Sequence, residues 1–461
     1  MAVSLQVADE AVLQPASTEL LDRMERLPMS GWHFKARAII GTATFFDGFD
    51  SLAIGMVLPV IAAAWKMTPG EVGWLISGGF LGQMIGAIGF GQLAERLGRI
   101  PAIMITTAVF ALGGIASAFA WGFVSMQVIR VVQGLGLGAE VPIAATYINE
   151  IAPAERRGRF VLLYEVLFAI GLLLAGVIGR WIIPTWGWQS LFLVGSVPPL
   201  IAVLLIPTLP ESPRWLIGKG RLDAASKAVD QIEAAITAEG RKLPPPVQTA
   251  RPAVFRAGRW SELFSPQYRT RTLVMWAIWL TIGFISWPLT IWMPTIYARV
   301  FQVPLETALN FGMYNNFIII SGAIACALLI DYTGRRAWFC GALFIASLAL
   351  IILGIMGANT VASVFLMTSI TLFCITSLNL AIYLYTPEVF PTRLRAVACG
   401  ISLAWARVGA MTAPPVIGWA MAGDQLSRVF LGLGVIAFCT GLITAVFAVE
   451  TRRRVLEEIS P

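Results

Sequence analysis

Apolar residues run along this chain in twelve long blocks separated by short polar joints. The blocks cover 36–58, 71–93, 100–120, 123–148, 160–183, 188–208, 271–297, 308–330, 337–357, 361–385, 396–421 and 428–449. A helix needs roughly 20 apolar residues to cross the hydrocarbon core of a bilayer, so each block predicts one spanning helix. The pattern therefore predicts an all-α membrane protein in two six-helix bundles. Its segments are a polar N-terminal stretch (1–35), a first bundle (36–208), a central loop (209–270), a second bundle (271–450) and a tail (451–461). Inside the loop, Leu222, Ala225, Val229, Ile232 and Ile236 recur every three or four residues. That spacing predicts a surface helix over 221–239. Pro244-Pro245-Pro246 and the Arg-rich run to Arg259 read as an extended linker.

The polar joints repeat. Gly91-Gln92-Leu93-Ala94-Glu95-Arg96-Leu97-Gly98-Arg99 is echoed by Leu329-Ile330-Asp331-Tyr332-Thr333-Gly334-Arg335, with Glu95 and Asp331 236 positions apart. Asn149-Glu150-Ile151-Ala152-Pro153 is echoed by Pro387-Glu388-Val389-Phe390-Pro391, with Glu150 and Glu388 238 positions apart. Two motifs recurring at nearly one offset mean duplicated halves. Duplicated membrane halves are the architecture of secondary transporters.

Charge then sets orientation. Only 13% of the 461 residues are charged, against about 25% in soluble chains. If the N-terminus is cytoplasmic, 27 of the 33 basic residues fall in cytoplasmic segments. Basic residues favour that side, so both termini are expected there. The same bias accounts for the net charge of +7 without a nucleic-acid partner. Residues 1–35 lack the pattern of a signal peptide. The five cysteines all lie in apolar blocks of the second half, without metal-ligand spacing, and read as packing residues. Trp65, Trp181, Trp186, Trp188, Tyr297 and Trp419, near block ends, suit an interfacial aromatic belt.

These motifs, with Arg130-Val131-Val132-Gln133-Gly134-Leu135-Gly136-Leu137-Gly138, Pro210–Leu216 and Val449-Glu450-Thr451-Arg452, resemble the major facilitator superfamily over essentially the whole length. Asp47-Gly48-Phe49-Asp50 looks like the aromatic-acid:proton symporters. Gly138-Ala139-Glu140-Val141-Pro142 and Tyr385–Arg393 look like bacterial niacin transporters and organic-ion carriers. The resemblance implies alternating access, a bacterial inner membrane, a monomer, protons as coupling ion and no cofactor. It implies gating roles for Glu95, Arg99, Glu150, Arg157, Asp331, Arg335, Glu388 and Arg393, expected to hold the two halves together across the cytoplasmic face. Glu95 stands where the family usually has Asp.

A charge at the bilayer centre costs at least ~2.5–3.5 kcal/mol on insertion scales, so each needs a reason. The spans keep Asp47, Asp50, Glu140, Glu165, Arg130 and Arg407. Asp47 and Arg407 each fall about 16 Å along their blocks, near mid-depth. Asp47 and Asp50, three apart, share a helix face. The four acids are candidate proton carriers. Asp50 with Arg130 is equally readable as an ion pair locking the first span to the fourth, and Glu140 and Glu165 as packing or inner gating. Arg130 and Arg407 are candidate anion ligands, because a guanidinium grips a carboxylate bidentately. Arg407 stands in Ala406-Arg407-Val408-Gly409, which looks like the organic-anion carriers.

The lone histidine, His33, precedes the first block and is expected in solvent, which removes a buried histidine relay. Gly134–Gly138 lacks the Lys-Ser/Thr continuation of a phosphate loop and reads as a helix contact. No nucleophile–base set or nucleotide motif appears, so an enzyme or ATP-driven pump is not indicated. Trp279 and Trp287 in the seventh block, Tyr314 and Asn315 in the eighth, and Asn379 and Tyr383 in the tenth are candidate lining for a flat, mostly apolar acid. A sugar or polyol symporter would need more hydrogen-bonding side chains, and the seventh block has no Gln or Asn. The expected function is proton-coupled import of a small aromatic or heteroaromatic carboxylate. The alternatives are a sugar symporter, or a ligand sensor of the same fold that does not transport.

Overall fold

The computed structural model describes residues 15–153, 157–245, 260–423 and 425–452. Among them the chain is helical, with no strand. A short α1 (Pro15–Glu25) precedes the first six long helices: α2 (Gly31–Ala64), α3 (Pro69–Leu97), α4 (Arg99–Ala118), α5 (Phe123–Ile151), α6 (Arg157–Trp186) and α7 (Trp188–Leu205). Two small helices, α8 (Pro213–Gly218) and α9 (Leu222–Ala238), follow. The second six are α10 (Arg269–Arg299), α11 (Leu305–Thr333), α12 (Arg335–Met356), α13 (Val361–Val389), α14 (Thr392–Ala422) and α15 (Leu426–Phe447). Among the described residues eleven helices are long and apolar enough to cross a membrane. The remaining long one, α14, has 31 residues and carries Arg407, Pro414 and Pro415, which dilute its apolar run. The expected linker from Pro246 to Arg259 lies outside the described residues.

Local chemistry explains the ends. Thr68 accepts from Glu71 N and Glu71 answers to Thr68 N, with Pro69 opening α3, a reciprocal cap. Both repeated motifs stop their helix on glycine. Gly98 and Gly334 sit at φ 111° and 91°, a region that side chains disfavour. Glycine also sets how closely helices approach. A Cβ on Gly134 would lie 2.4 Å from Gly79 O, and one on Gly48 2.2 Å from Phe168 O. Backbone contact of this kind is how membrane helices associate. It fixes α3 on α5 and α2 on α6.

The halves meet through α2 on α10, α3 on α14 and α6 on α11. The end where α2 begins and α15 finishes is the terminal face; it also carries α1, α8 and α9. The described contacts between halves lie at mid-depth or toward the opposite face. Ser77 Oγ donates to Met411 O. Arg299 Nη1 donates to Met67 O at 2.9 Å. Arg180 pairs with Glu306 at 3.0 Å. On the α3–α14 seam nearer the terminal face, a Cβ on Gly89, Gly91 or Gly400 would meet nothing within 4 Å. The molecule is closed at the opposite face and parted at the terminal one.

Two expectations change. His33 is buried, not solvated. Its helix already starts at Gly31, its Nδ1 shares a 2.8 Å hydrogen bond with Ser30, and Trp32 and Phe160 flank its ring. Glu239, just past α9, covers this end by accepting from Gly31 N and Trp32 N at 2.8 Å. Trp188 and Tyr297 are buried rather than interfacial, whereas Trp181, Trp186 and Trp419 are exposed. Tyr297 turns inward onto Phe311, ring centroids 5.0 Å apart.

Candidate functional site

Six intramembrane charges converge on the first half, with one visitor from the second. Asp50 and Arg130 form a buried ion pair at 2.8 Å. Gln133, one turn beyond Arg130 on α5, closes the triangle. It donates to Asp50 Oδ1 at 2.9 Å and accepts from Arg130 Nη1 at 2.7 Å. A buried pair is favoured when its remaining lone pairs and protons are also met; Gln133 meets Asp50 Oδ1 and Arg130 Nη1, while among the described residues Arg130 Nε has no hydrogen-bond partner. Asp50 and Arg130 therefore neutralise each other and bind α2 to α5.

Asp47, one turn earlier on α2, has no such partner among the described residues. It is buried, and Ser51 Oγ stands 3.4 Å from its Oδ1. The charge nearest in kind is across the molecule. Arg407 and Asp47 are close enough to interact electrostatically. Arg407 is rigidly presented, because α14 touches α10 backbone to backbone at Gly283 and Gly409 on either side of it. Its Nη1 donates to Gln83 Oε1 at 2.6 Å and its Nη2 to Gly138 O at 3.4 Å. Both acceptors are neutral and both belong to the first half. Among the described residues no carboxylate forms a salt bridge with it. A half-buried guanidinium held by one amide and one carbonyl retains donors for an anion.

Glu140 is fully buried on α5. Thr44 Oγ1 donates to its Oε1 at 3.1 Å and also hydrogen-bonds the Tyr164 hydroxyl. Glu165, next to Tyr164 on α6, is exposed. It interacts electrostatically with Tyr383 on α13, so it faces the gap between halves.

The aromatic candidates divide. Trp287 meets Phe80 across the halves at 5.9 Å, one turn from Gln83. Tyr383 is 56% exposed in the interior gap and near Arg407, and half-buried Asn379 lies one turn before it on the same face. Trp279 stands behind Tyr383, edge-on at 4.9 Å, with its Nε1 donating to Thr386 Oγ1 at 3.0 Å; it positions Tyr383 rather than lining the space. Asn315 is buried inside the second half and accepts from Ser369 at 3.4 Å. Tyr314 lies on the outward stripe of α11 with Phe317, Ile324 and Leu328, all exposed.

At the terminal face the gating candidates pair within halves, not across them. Arg99 binds Glu95 at 2.7 Å and Glu150 at 3.3 Å. Arg335 binds Asp331 at 2.7 Å and Glu388 at 3.2 Å. The halves are apart here, so each arginine finds its acids at home. Glu95 spans the same 2.7 Å as Asp331, so its extra methylene does not lengthen the pair. The side chains of Arg157 and Arg393 lie outside the described residues.

The sequence pattern of the family described as "Sugar (and other) transporter" matches residues 37–461. The chain belongs to this major facilitator family. It is 30% identical to the niacin transporter NiaP of Acinetobacter baylyi over 96% of this chain and 99% of that one. It is 28% identical to a gallate transporter of Pseudomonas putida over 93% of this chain and 94% of that one. The 4-hydroxybenzoate transporter PcaK of Pseudomonas putida is 29% identical over 68% of this chain and 70% of its own. A crystal structure of a D-xylose-proton symporter superposes with TM-score 0.72 at 19% identity, over 92% of this chain and 99% of that chain; it shows the fold. The protein is a multi-pass membrane transporter of small organic solutes.

Of the residues at this facilitator's centre, Gln83, Thr44, Tyr164 and Phe80 escaped the sequence reading, and Gln133 was seen only within the Arg130–Gly138 motif. All but Phe80 are polar groups in apolar spans. Counting amides and hydroxyls there, as well as charges, finds Gln83 and Gln133, because an unpaired amide in hydrocarbon is also costly. Glu211 and Glu450 were seen only as parts of motifs. Each accepts from the first backbone N–H groups of α4 and α12 respectively, at 2.9–3.1 Å.

Proposed function

We propose that this transporter imports a small aromatic or heteroaromatic monocarboxylate together with a proton. The observation that carries the reading is Arg407. It is a mid-depth guanidinium with neutral acceptors only among the described residues, near Asp47 and Tyr383, and its partner Gln83 lies one turn from Phe80, whose ring meets Trp287. A ligand carboxylate supplies the missing anion, and the aromatic walls take a flat ring. Adding that anion beside Asp47 places two like charges together, and a proton on Asp47 relieves the repulsion. Coupling follows: anion and proton are each better held when the other is present. The names of the relatives agree with an aromatic acid. The basic bias of the terminal face supports placing it in the cytoplasm, in a bacterial inner membrane. The closed opposite face then makes this the inward-facing state.

Uptake by proteoliposomes tests the reading. Nicotinate, benzoate, gallate and 4-hydroxybenzoate are offered with and without an inward proton gradient, beside xylose. At least one acid is expected to accumulate only with the gradient. Xylose accumulation without the acids, or binding without uptake of any, overturns it.

A further inference from the structure

The proton taken up at mid-depth must leave at the terminal face, and Asp47 is buried. We infer that Glu140 is the internal station through which that proton passes from Asp47 to Glu165. The inference rests on the proton-coupled reading above.

Packing sets the levels of the three acids. Thr44 hydrogen-bonds both Glu140 and the Tyr164 hydroxyl, so Glu140 and neighbouring Glu165 lie near one level, and Asp47, three residues on from Thr44, lies about 4.5 Å farther from the terminal face. Exposure separates the two at that level: Glu140 is buried, like Asp47, and Glu165 opens to the gap between halves. Adjacent members interact electrostatically, Asp47 with Glu140 and Glu140 with Glu165. No cation reaches Glu140 among the described residues. The groups around it are Thr44 and Asp47 on α2, and Tyr164 and Glu165 on α6. A buried carboxyl kept without a cation is costly, and packing alone does not explain it.

The supports are built. Thr44 and Asp47, three apart, share one face of α2. Glycines 48 and 171 bring α2 against α6, which sets Thr44 on the Tyr164 hydroxyl and on Glu140 Oε1. These two hydroxyls are positioning groups. In the transfer, the Asp47 acid gives its proton to the Glu140 carboxylate. The Glu140 acid then gives it to the Glu165 carboxylate, which releases it to water in the gap. One proton moves, only O–H bonds break and form, and Thr44 and Tyr164 end unchanged.

The full chain in proteoliposomes is tested with nicotinate and 4-hydroxybenzoate as probes and a pH-sensitive dye inside. Glu140→Gln is expected to cut gradient-driven accumulation and substrate-linked lumenal acidification at least tenfold, while exchange of labelled for unlabelled acid stays within twofold. Glu140→Asp is expected to recover part of the accumulation. Should Glu140→Gln not fold, exposed Glu165→Gln carries the test with the same split. Wild-type accumulation in both glutamine variants, or equal loss of exchange and accumulation, overturns the relay while leaving proton coupling intact. A wild type that accumulates neither acid with the gradient overturns the proton-coupled reading and the relay with it.

Discussion

The two halves agree at their terminal face and disagree at their centre. In the first half Arg99 gathers Glu95 and Glu150, and Glu211 caps α4. In the second, Arg335 gathers Asp331 and Glu388, and Glu450 caps α12. Even the flanking tyrosines match: Tyr147 donates to Pro210 O, and Tyr385 to Val449 O. At mid-depth the likeness ends. The first half holds Asp47, Asp50, Arg130 and Glu140 in its spans; the second holds Arg407, which reaches over to Gln83 and Gly138. Duplication kept the parts that hold each bundle's shape. The chemistry was divided, acids on one side and the unpaired cation on the other.

Asp47 and Asp50, one turn apart, sharpen this contrast most. Asp50 is locked to Arg130 and Gln133, so Asp50→Asn leaves a buried guanidinium without its carboxylate. Breaking such a pair costs about 3–5 kcal/mol. A large fall in melting temperature and in folded yield is expected. Asp47→Asn removes an acid with no cation bonded to it. It is expected to melt near wild type and to lose gradient-driven accumulation while keeping counterflow. Matching stabilities for the two variants, or wild-type accumulation by Asp47→Asn, would break the assignment of one as brace and the other as carrier.

Arg407 tests the division from the other side. Arg407→Ala is expected to weaken binding of the transported acid by about 2–5 kcal/mol, the range for truncating one side of a buried charge pair. Arg407→Lys recovers part, because the point charge remains and the planar fork is gone. Isothermal titration of the acid and its matched amide decides it. Equal affinity of the wild type for both would mean that Arg407 serves the helix contacts at Gln83 and Gly138 instead.

Architecture was legible in the sequence because it repeats and because hydrocarbon enforces it. Twelve apolar blocks had to be helices, and the doubled motifs at Glu95 and Asp331 marked the halves. The intramembrane charges were legible for the same reason, since each is costly. Partners were not. Nothing in the spacing tells that Asp50 turns to Arg130 while Asp47 does not, because that depends on the angle at which α2 crosses α5. Nor could Arg407 be assigned to Gln83, 324 positions away. His33 was misplaced because its surroundings come from distant parts of the chain: Phe160 of α6 packs on its ring, and Glu239 from beyond α9 covers the start of its helix. The gating pairs depend on which face is open, a property of the conformation and not of the sequence.

A smaller difference hides inside the matching ends. Glu211 and Glu450 make the same backbone caps, yet burial pushes the Glu211 carboxyl above its usual range, although Ser212, Arg99 and Ile100 donate to it. Ionised Glu211 thus gives back part of what its cap contributes. Glu450→Gln is expected to cost about 1 kcal/mol, the scale of a charged group at a helix start. Glu211→Gln is expected to cost less. Thermal melts in one detergent compare them directly, and a larger loss at Glu211 would break the ordering.

The first half has one further element that the described part of the second lacks: the clasp of α1 on α9. Arg23 pairs with Asp230 and Glu233 at 2.6 Å, and Arg26 with Glu233 at 2.7 Å. Burial alone would raise the Glu233 carboxyl, but hydrogen bonds from Arg23 and Arg26 outweigh it and hold it below the usual range. A depressed carboxyl stabilises the fold above its unfolded pKa, about 4.3 for glutamate. That contribution is lost as pH falls through the lower folded value. The clasp is therefore expected to be intact at neutral pH and to loosen below pH ~4. Such ion pairs near a surface contribute about 0.2–1 kcal/mol each, so the open population should rise only a few-fold. Spin labels on the outer faces of α1 and α9 read it as a broadened distance distribution in acid. Glu233→Gln should show the broad distribution already at neutral pH. A distance that stays sharp in that variant would mean that the apolar contacts of Leu20 and Met24 with Ala225 and Val229 hold the clasp without the charges.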